Sequence, residues 1–497
     1  MDELKAYKAH LHEIGKLDSA LALLAWDQRT YLPRKGQETR AEAIGKLTKL
    51  SFQMATSPRL GRLLDALGAR DGLSPGDRAS LRVVGKDYGR RKAIPARVVE
   101  RFAIARSKSE TAWERARETS DFKAFLPHLE EMVDFSRRFA DYYGYKESPY
   151  DALIEDYEPG MTARELRTII RPLREDLVPF IRHLTAEGRR PDTDVLSGRF
   201  PAEAQRDLAL RALRAIGYDF EAGRLDTSVH PFTIAIGPGD ARVTTRFLET
   251  QVLSNLFSSL HEGGHALYDQ GIPEALRWSG LDQAASFGIH ESQSRTWENC
   301  VGRSRTFWVF FQPILAEVFP QFRSVSAEAL FRAANVVEPS LIRVEADEVT
   351  YSLHIMLRFE IEEGLINGTT QARDLPDLWR EAMREYLGVV PKTDAEGVLQ
   401  DVHWSAGLFG YFPSYMLGNL YGAQIYAKAK EEIPGLEEGF TRGDFAPLLR
   451  FLHEKIHQHG RTYEPKDLVR RATGEEPDSR YFVRYVKEKY GEVYGLR

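Results

Sequence analysis

Apolar residues recur at three- and four-residue spacing, with charged residues between them, through most of this 497-residue chain. This period places the apolar side chains on one face of a helix, so it predicts a mainly α-helical fold. The chain is longer than the roughly 250–300 residues at which one hydrophobic core stops growing. We therefore expect one unit, residues 1–497, with two helical lobes beside a groove and 188–201 as the best linker candidate. The predicted helices are 2–25, 37–55, 95–141, 162–187, 201–216, 307–319, 326–337, 340–366, 376–387 and 412–431.

Strand signal is concentrated in one region. Segments 232–236 and 241–247 flank Gly237-Pro238-Gly239-Asp240, which predicts a β-hairpin with a four-residue loop. An exposed strand edge can bind an extended peptide by adding it to the sheet.

Composition excludes several classes of partner. The 68 basic and 73 acidic residues give a net charge of −5, which argues against nucleic acid or an anionic membrane surface as a partner. The only cysteine, Cys300, cannot form an internal disulfide and fits a reducing compartment. The first residues lack an apolar signal core, and 21–26 is too short to span a bilayer. We expect a cytoplasmic protein.

The run His261-Glu262-Gly263-Gly264-His265 is the strongest chemical signal in the chain, and Glu291 follows its second histidine by 26 residues. On a helix, residues i and i+4 share a face, so the two histidines can bind one metal ion. With Glu291 they make three ligands, and a catalytic zinc ion needs three with one position open. Glu262 is offset from both histidines, which makes it the candidate general base for a metal-activated water.

A second match to the same pattern, His453-Glu454-Lys455-Ile456-His457, argues that the pattern alone is not specific. Acidic residues follow it too, but Glu475 and Glu476 lie in a turn-like segment that would hold them loosely. We therefore predict that His453 and His457 lie on a solvated helix face and bind no metal.

Two features near the first motif indicate close packing or support of the ligands. Each glycine inside a helix costs about 1 kcal/mol relative to alanine, so Gly263 and Gly264 predict close approach by a packed neighbour or a substrate chain. A further helical stretch is predicted from Glu291 to Phe307, and Glu298 follows Glu291 by seven residues on the same face of it. It is a candidate partner that orients a ligand histidine, or else a surface carboxylate.

The segment 397–415 places glycines beside a histidine, a tryptophan and two tyrosines. His403, Tyr411 and Tyr415 are candidate donors to the oxyanion of a tetrahedral intermediate, with Tyr415 first. The alternative is a packed aromatic loop, and the residues alone do not decide between the two.

Two arginines lie in segments of interest and are candidates for binding a substrate carboxylate. Arg242 is in the predicted hairpin and Arg358 is in the segment 357–360. A guanidinium group can bond both oxygens of a carboxylate. A structural salt bridge is the alternative role for each.

Together these segments resemble the carboxypeptidase Taq family of metallocarboxypeptidases, over nearly the whole chain. The matching motifs stand in the family's order. They are 26–33, 150–162, His-Pro-Phe at 230–232, Asp-x-Arg-x-Thr at 240–244, 261–265, 290–293, the arginine-containing segment 357–360, and Gly-x-x-Gln-Asp-x-His-Trp at 397–404.

The resemblance implies a helical, saddle-like, two-lobed zincin fold with a deep central groove and a small β-sheet beside the zinc helix. It implies release of C-terminal amino acids from peptides, with broad specificity but poor action next to proline. It also implies one Zn²⁺ ion per chain, with Co²⁺ as a substitute, and a homodimer.

Two alternatives remain beside a carboxypeptidase. A related helical zincin oligoendopeptidase uses the same three ligands, and it would cut a peptide whose C-terminus is blocked. A non-enzymatic helical scaffold could keep the metal for structure alone. Glu262 argues against a scaffold, because a structural metal site needs no base beside its ligands.

Overall fold

The computed structural model describes residues 2–496, and this part of the chain forms twenty α-helices and one three-stranded sheet. The expectation of a mainly helical fold with a small sheet is confirmed. The helices before the sheet are α1 (Glu3–Thr30), α2 (Gln37–Ala55), α3 (Pro58–Gly68), α4 (Pro75–Ala93), α5 (Ala96–Thr119), α6 (Phe122–Tyr143), α7 (Pro149–Ile154), α8 (Ala163–Glu187) and α9 (Ala202–Ala215). The strands are β1 (Leu225–Thr227), β2 (Thr233–Gly237) and β3 (Asp240–Thr245).

Eleven helices follow the sheet within the described residues. They are α10 (Val252–Gly271), α11 (Phe287–Arg295), α12 (Arg305–Val318), α13 (Ala327–Ala333), α14 (Tyr351–Asn367), α15 (Leu375–Leu387), α16 (Phe412–Glu432), α17 (Leu436–Phe440), α18 (Ala446–Lys455), α19 (Pro465–Thr473) and α20 (Arg480–Tyr494).

Two of the predicted helices are broken or begin late, and two others differ at their C-terminal ends, since 2–25 continues to Thr30 and 326–337 ends at Ala333. The segment 95–141 breaks at Ser120, whose φ of 55° is left-handed, and the Asp121 side chain then caps α6 by accepting from the Ala124 amide at 3.1 Å. The segment 340–366 is helical only from Tyr351, because Asp347 accepts from the next amides in a turn that precedes the helix. Apolar spacing continues through both breaks, so it does not reveal them.

The sheet differs from the predicted hairpin in two ways. Gly237 pairs with Asp240, so the loop is two residues long, and Gly239 takes a φ of 82°. Strand β1, which the sequence did not predict, pairs in parallel with β3 and gives the order β1-β3-β2. Three residues are too few to show a strand period. The order leaves one side of β2 as a free edge.

The hydrophobic core consists of one large and two small clusters. Tyr7, Leu11 and Val84, on α1 and α4, belong to one small cluster, and Ala79, Val83 and Leu281 form the other. The large one extends from Val98 to Tyr494 and continues across the segment 188–201. Within residues 2–496, none of the helices has the length and low charge that a bilayer span requires.

Candidate active site

Helix α10 carries the first histidine motif and is packed against the sheet and against α9 and α11. Gly263 and Gly264 of this helix were predicted to allow close approach by either a packed neighbour or a substrate chain. A Cβ atom on Gly264 would lie 2.7 Å from the backbone of α11, and one on Gly263 would lie 2.7 Å from Leu213 of α9. Packed helices, rather than a substrate chain, therefore account for both glycines.

Helix α11 carries Glu291 and lies between α10 and α16. Gly418 of α16 faces this residue, and a Cβ atom there would collide with the Cγ atom of Glu291. The N-terminus of α11 is held by Glu158, whose carboxylate accepts from the Gly288 amide at 3.1 Å and from the Tyr421 hydroxyl at 3.0 Å. Burial raises the pKa of Glu158 to about 7. Packing against α10 and α16 and the hydrogen bonds of Glu158 therefore fix where α11 places Glu291.

His261, His265 and Glu291 come together as a group that can hold one metal ion. The Oε2 atom of Glu291 lies 3.4 Å from Nε2 of His265 and 3.8 Å from Nε2 of His261. Ligands at about 2.1 Å from a tetrahedral zinc ion are about 3.4 Å apart, so these separations fit one ion. Burial lowers the pKa of His265 to about 4, which keeps the imidazole neutral, as a metal ligand must be.

Carboxylates and an arginine surround the three candidate ligands. Glu298 accepts from Nδ1 of His261 at 2.9 Å, which suits the orienting role predicted for it. Arg295 donates to Glu291 at 2.7 Å and to Glu298 at 3.2 Å. Burial opposes ionisation of both glutamates, but Arg295 and His261 act together against it, and the pKa of each lies well below its usual range. Both carboxylates are therefore charged at neutral pH.

The segment that carries Glu298 is not the continuous helix predicted from Glu291 to Phe307. Helix α11 begins at Phe287, four residues earlier, and 296–302 is a π-helical turn before α12. The sequence analysis did not identify Arg295. It follows Glu291 by four residues in a helical stretch, a spacing that predicts the ion pair found between them.

His265 is supported by a stacked ring rather than by a hydrogen bond. Its Nδ1 atom is buried and has no hydrogen-bond partner among the residues that the structure describes. The His290 ring stacks on it with centroids 4.3 Å apart, and Nε2 of His290 lies 3.1 Å from Asp269. His290 is thus outside the candidate ligand group, but its ring contacts one member of that group.

Glu262 is buried, and its carboxylate is hydrogen-bonded to Thr233 of β2, a residue that the sequence analysis did not identify. The Thr233 hydroxyl donates to Oε2 of Glu262 at 2.7 Å. Burial raises the pKa of Glu262, while His261 and the Thr233 hydrogen bond act in the opposite direction. A carboxylate with a raised pKa is a stronger base for a proton held nearby.

The three proposed oxyanion donors meet where the segment 397–411 leads into α16. Nε2 of His403 lies 3.5 Å from the Tyr415 hydroxyl, and the rings of Tyr411 and Tyr415 have centroids 4.9 Å apart. Burial lowers the pKa of His403 to about 4 and raises that of Tyr411 to about 12. Burial also raises the pKa of Tyr415. Near pH 7, therefore, the two hydroxyls are protonated and the imidazole is neutral.

Arg358 does not have the exposure that direct binding of a substrate carboxylate requires. Its side chain is fully buried, and it donates to Asp401 at 2.7 Å, to Gln400 at 2.8 Å and to the His354 carbonyl at 2.7 Å. The physical reason is that α14 lies inside the core, where an arginine must be paired.

Arg242 is also paired with a carboxylate of the protein, that of Asp240. It donates to both oxygens of Asp240, each at 2.7 Å, and lies over the Trp26 ring of α1. Strand side chains alternate between faces, and Arg242 pairs with Ile234, so it lies on the opposite face from Thr233. This placement does not favour contact with a substrate at Glu262.

Arg343 is a cationic residue that the sequence reasoning missed. It donates to Asp401 at 2.7 Å and to the Tyr351 hydroxyl at 3.1 Å, and its guanidinium lies 5.1 Å from the centroid of Tyr415. Apolar periodicity placed it within the predicted helix 340–366, whereas it lies in a short 3-10 turn before α14. A sequence signal that could have led to Arg343 is Asp401 of the motif 397–404, because a buried carboxylate needs a cationic partner. In the fold, Asp401 binds both Arg343 and Arg358.

The second histidine motif is not a solvated helix face, and the prediction is wrong for His457. Helix α18 ends at Lys455, so His457 is outside it, fully buried, and 2.9 Å from Gln293. His453 is exposed, as predicted. The two rings are 6.4 Å apart and nearly perpendicular, and they belong to no metal-ligand group found within residues 2–496.

A groove lies beside His290, whose ring stacks on the candidate ligand His265. Two neighbouring cavities, of about 330 and 480 Å³, share Ala235 of the edge strand β2 and Asp269 of α10. The larger also touches His290 and Phe287, whose side chain is half exposed beside Tyr411. The groove therefore offers the free edge of β2 to an extended peptide, close to His290.

Comparisons with known proteins agree with this geometry. The family model described as carboxypeptidase Taq (M32) metallopeptidase matches residues 6–490. Carboxypeptidase 1 of Bacillus subtilis (strain 168) is 44% identical over 98% of this chain and 97% of its own. Thermostable carboxypeptidase 1 of Thermus thermophilus is 47% identical over 97% of each chain.

A solved structure extends the match to three dimensions. The M32 carboxypeptidase from Deinococcus radiodurans R1 is 40% identical, covers 100% of both chains and superposes with a TM-score of 0.98. Matches of this extent show common descent of the whole chain. The chain therefore belongs to the carboxypeptidase Taq (M32) family of metallopeptidases and is a metallocarboxypeptidase.

Proposed function

We propose that this enzyme releases C-terminal amino acids from peptides, one at a time, with Glu262 as general base. The observation that carries the proposal is the juxtaposition of a histidine–histidine–glutamate group with a buried glutamate beside it. His261, His265 and Glu291 would hold the metal, and Glu262 follows the first ligand directly. A structural metal site has no use for that carboxylate.

We propose that the resident metal is one Zn²⁺ ion per chain, with Co²⁺ as a working substitute. The donor set supports this, because two imidazoles and one carboxylate are typical of catalytic zinc sites. Held by His261, His265 and Glu291, such an ion would polarise the scissile carbonyl and lower the pKa of a water molecule beside it.

The side chains of the protein would carry the proton and stabilise the developing charge. Glu262 accepts a proton from the attacking water and passes it to the leaving amine. Thr233 holds the Glu262 carboxylate in place through its 2.7 Å hydrogen bond. Tyr415, with His403 and Tyr411 beside it, donates to the oxyanion of the tetrahedral intermediate.

Removal of a terminal residue requires a cation for the substrate's free carboxylate. We propose Arg343 for this role in place of Arg358 and Arg242. Arg343 is also buried and paired with Asp401, but its guanidinium lies 5.1 Å from the ring centroid of Tyr415. Arg358 binds the other side of Asp401, and Arg242 lies over Trp26. Broad side-chain tolerance and poor action next to proline rest on the family resemblance and stay predictions. So do the homodimer, the cytoplasmic location and the division into two lobes.

One pair of substrates separates the candidate activities. The enzyme is incubated with an N-acetylated peptide that has a free C-terminus and with its C-terminal amide, and products are followed by mass spectrometry over time. A carboxypeptidase removes single residues in succession from the free acid and leaves the amide nearly intact. An oligoendopeptidase cuts both peptides internally, and a non-enzymatic scaffold cuts neither.

Metal analysis accompanies this assay. Elemental analysis of the dialysed protein should give one zinc ion per chain. Treatment with a chelator should abolish hydrolysis, and added Zn²⁺ or Co²⁺ should restore it. Retention of full activity in metal-free protein would contradict the proposal.

A further inference from the structure

The segment that carries His403 and leads to Tyr411 is tied to α14 at both of its ends. At the first end, Arg358 binds Asp401 and Gln400. The carboxylate of Glu362, one helical turn after Arg358, accepts a hydrogen bond from Trp404 within the segment and another from Gly410 at its second end. We call residues 400–411 the donor loop, because it carries or adjoins the proposed oxyanion donors.

We propose that Glu362 is a positioning residue for catalysis, which holds the donor loop in the geometry that the oxyanion donors require. This inference rests on the proposed function. It concerns a residue that touches neither the metal ligands nor the groove, since Glu362 is fully buried in α14.

Three donors converge on this one carboxylate. The indole nitrogen of Trp404 donates to Oε1 at 2.8 Å, while the Gly410 amide at 2.9 Å and the Tyr150 hydroxyl at 2.6 Å donate to Oε2. Two of the three donors belong to the donor loop, and Gly410 directly precedes Tyr411. A buried N–H group that loses its acceptor destabilises the arrangement that contains it, so the loop geometry depends on both oxygens.

The arrangement also constrains the loop backbone at Gly410. This residue takes a φ of 89°, and a Cβ atom on it would lie 2.8–2.9 Å from the backbone of Leu153 and Ile154. The loop therefore passes close to α7 with no side chain between them, and the bond to Glu362 is made at that point. Trp404, in turn, packs edge-on against Trp379 with ring centroids 5.9 Å apart.

The variant Glu362→Gln tests this dependence, because an amide cannot replace the carboxylate in either orientation. If its oxygen faces Gly410 and Tyr150, its NH₂ group faces the indole N–H of Trp404. If its oxygen faces Trp404, its NH₂ group faces the Gly410 amide, which cannot turn round to accept. One N–H group of the donor loop is left without an acceptor in both cases.

We expect Glu362→Gln to lower kcat by about 10–100-fold with KM nearly unchanged, because misplaced donors act on the transition state. Metal content should equal that of the wild type. Hydrogen exchange should become faster in peptides covering 397–412 and stay unchanged in those covering 252–271. The matched control is Glu363→Gln, the same chemical change one residue on, where the side chain pairs with Arg167 at the surface. It should leave kcat within twofold.

A double-variant cycle with Trp404→Phe separates positioning from general stability. Phenylalanine removes the indole N–H, so the oxygen of the substituted glutamine side chain can then accept from both remaining donors. In the Trp404→Phe background, Glu362→Gln should therefore change kcat by less than threefold. An equal loss in both backgrounds, or a Glu362→Gln enzyme with normal kcat and only a lower melting temperature, would overturn the inference.

Two further outcomes are also decisive. If Glu362→Gln does not fold, Trp404→Phe alone is used, and the inference is overturned if that variant keeps the wild-type kcat and exchange rates. If the wild type itself releases no C-terminal residue, the proposed function fails. The exchange rates of 397–412 in the two variants then still decide whether Glu362 holds the loop.

Discussion

The Thr233 hydroxyl lies 2.7 Å from Oε2 of Glu262, so the edge strand β2 directly contacts the proposed general base. The same hydroxyl is 2.9 Å from the Glu262 carbonyl oxygen. Because β2 also lines the groove, one strand can position both the base and an extended substrate. A small displacement of the strand by a substrate would thus move the base with it.

Glu262→Gln should lower turnover by about 10²–10⁴-fold, the range typical of general acid–base catalysis. Shape and metal content should be unchanged, because the amide occupies the same volume. Thr233→Val keeps the volume but removes the hydroxyl, and we expect a smaller loss of about 5–20-fold in kcat, since one positioning hydrogen bond is lost. Steady-state kinetics on metal-loaded protein measure both. A fully metallated Gln variant with normal turnover would exclude Glu262 as the base.

Removal of one ligand should abolish metal retention. His265→Ala deletes a ligand from the three-residue group, so the dialysed variant should contain less than a tenth of one zinc ion per chain. His453→Ala, at an exposed histidine of the second motif, is the matched control and should retain one ion. Elemental analysis decides between them, and loss of metal from the His453 variant would reverse the assignment.

The sequence was sufficient to group the two candidate histidine ligands because their geometry is local. His261 and His265 are four residues apart on one helix, and the spacing alone predicts a shared face. Glu291 was found by its place after the motif, and its contact with the histidines depends on α10 and α11 packing together. Gly264 marked that close contact in the sequence, although the sequence could not say what would approach it.

The arginines show where sequence reasoning fails. Arg358 and Arg343 look alike in the sequence, and both bind Asp401 in the fold. Both are buried, and what distinguishes Arg343 is that its guanidinium lies over the Tyr415 ring. That placement depends on where α14 and the loop before it lie in the core. The same is true of His457, which a helical pattern placed on a solvated face although α18 ends two residues before it. Long-range packing, rather than local spacing, decides such cases.

Tyr415→Phe should lower kcat about 10–1000-fold with little change in KM, because a bond to the oxyanion strengthens only in the transition state. Tyr411→Phe should have the weaker effect, since Tyr411 supports Tyr415 through ring contact with centroids 4.9 Å apart. Kinetics of both variants on one peptide, with equal metal content, make the comparison. The reverse order of effects would assign the oxyanion to Tyr411.

Stability should depend on pH through Glu158, which holds the N-terminus of α11. Burial raises its pKa from 4.5 to about 7, against the opposing effects of Ser286, Tyr421, Gly288 and Lys466. A carboxyl with a raised folded pKa contributes stability below its unfolded pKa, and this is lost as pH rises through about 7. The shift corresponds to about 3 kcal/mol at 1.36 kcal/mol per pKa unit.

Glu158→Gln removes this titration, so the melting temperature of the variant minus that of the wild type should rise between pH 5 and pH 8. We expect a rise of about 3 °C, since 1 kcal/mol is worth about 1 °C in a chain of this length. Both proteins are measured by calorimetry with chelator, because metal binding depends on pH in its own right. A difference that stays flat with pH would show that Glu158 is ionised in the folded protein throughout this range.

Arg343 and Arg358 form a matched pair for testing exopeptidase specificity, because each binds one oxygen of the same Asp401 carboxylate. Hydrogen bonds to charged groups are worth about 1.5–3 kcal/mol. Arg343→Gln should therefore lower kcat/KM for a peptide with a free C-terminus by about 10–200-fold. Its effect on the slow hydrolysis of the C-terminal amide should be much smaller, since the amide never offered the carboxylate. Arg358→Gln, which disturbs only the buried side of Asp401, should reduce both rates by the same factor. If the two variants exchange these patterns, the terminal carboxylate is bound by Arg358, and α14 must move when substrate enters.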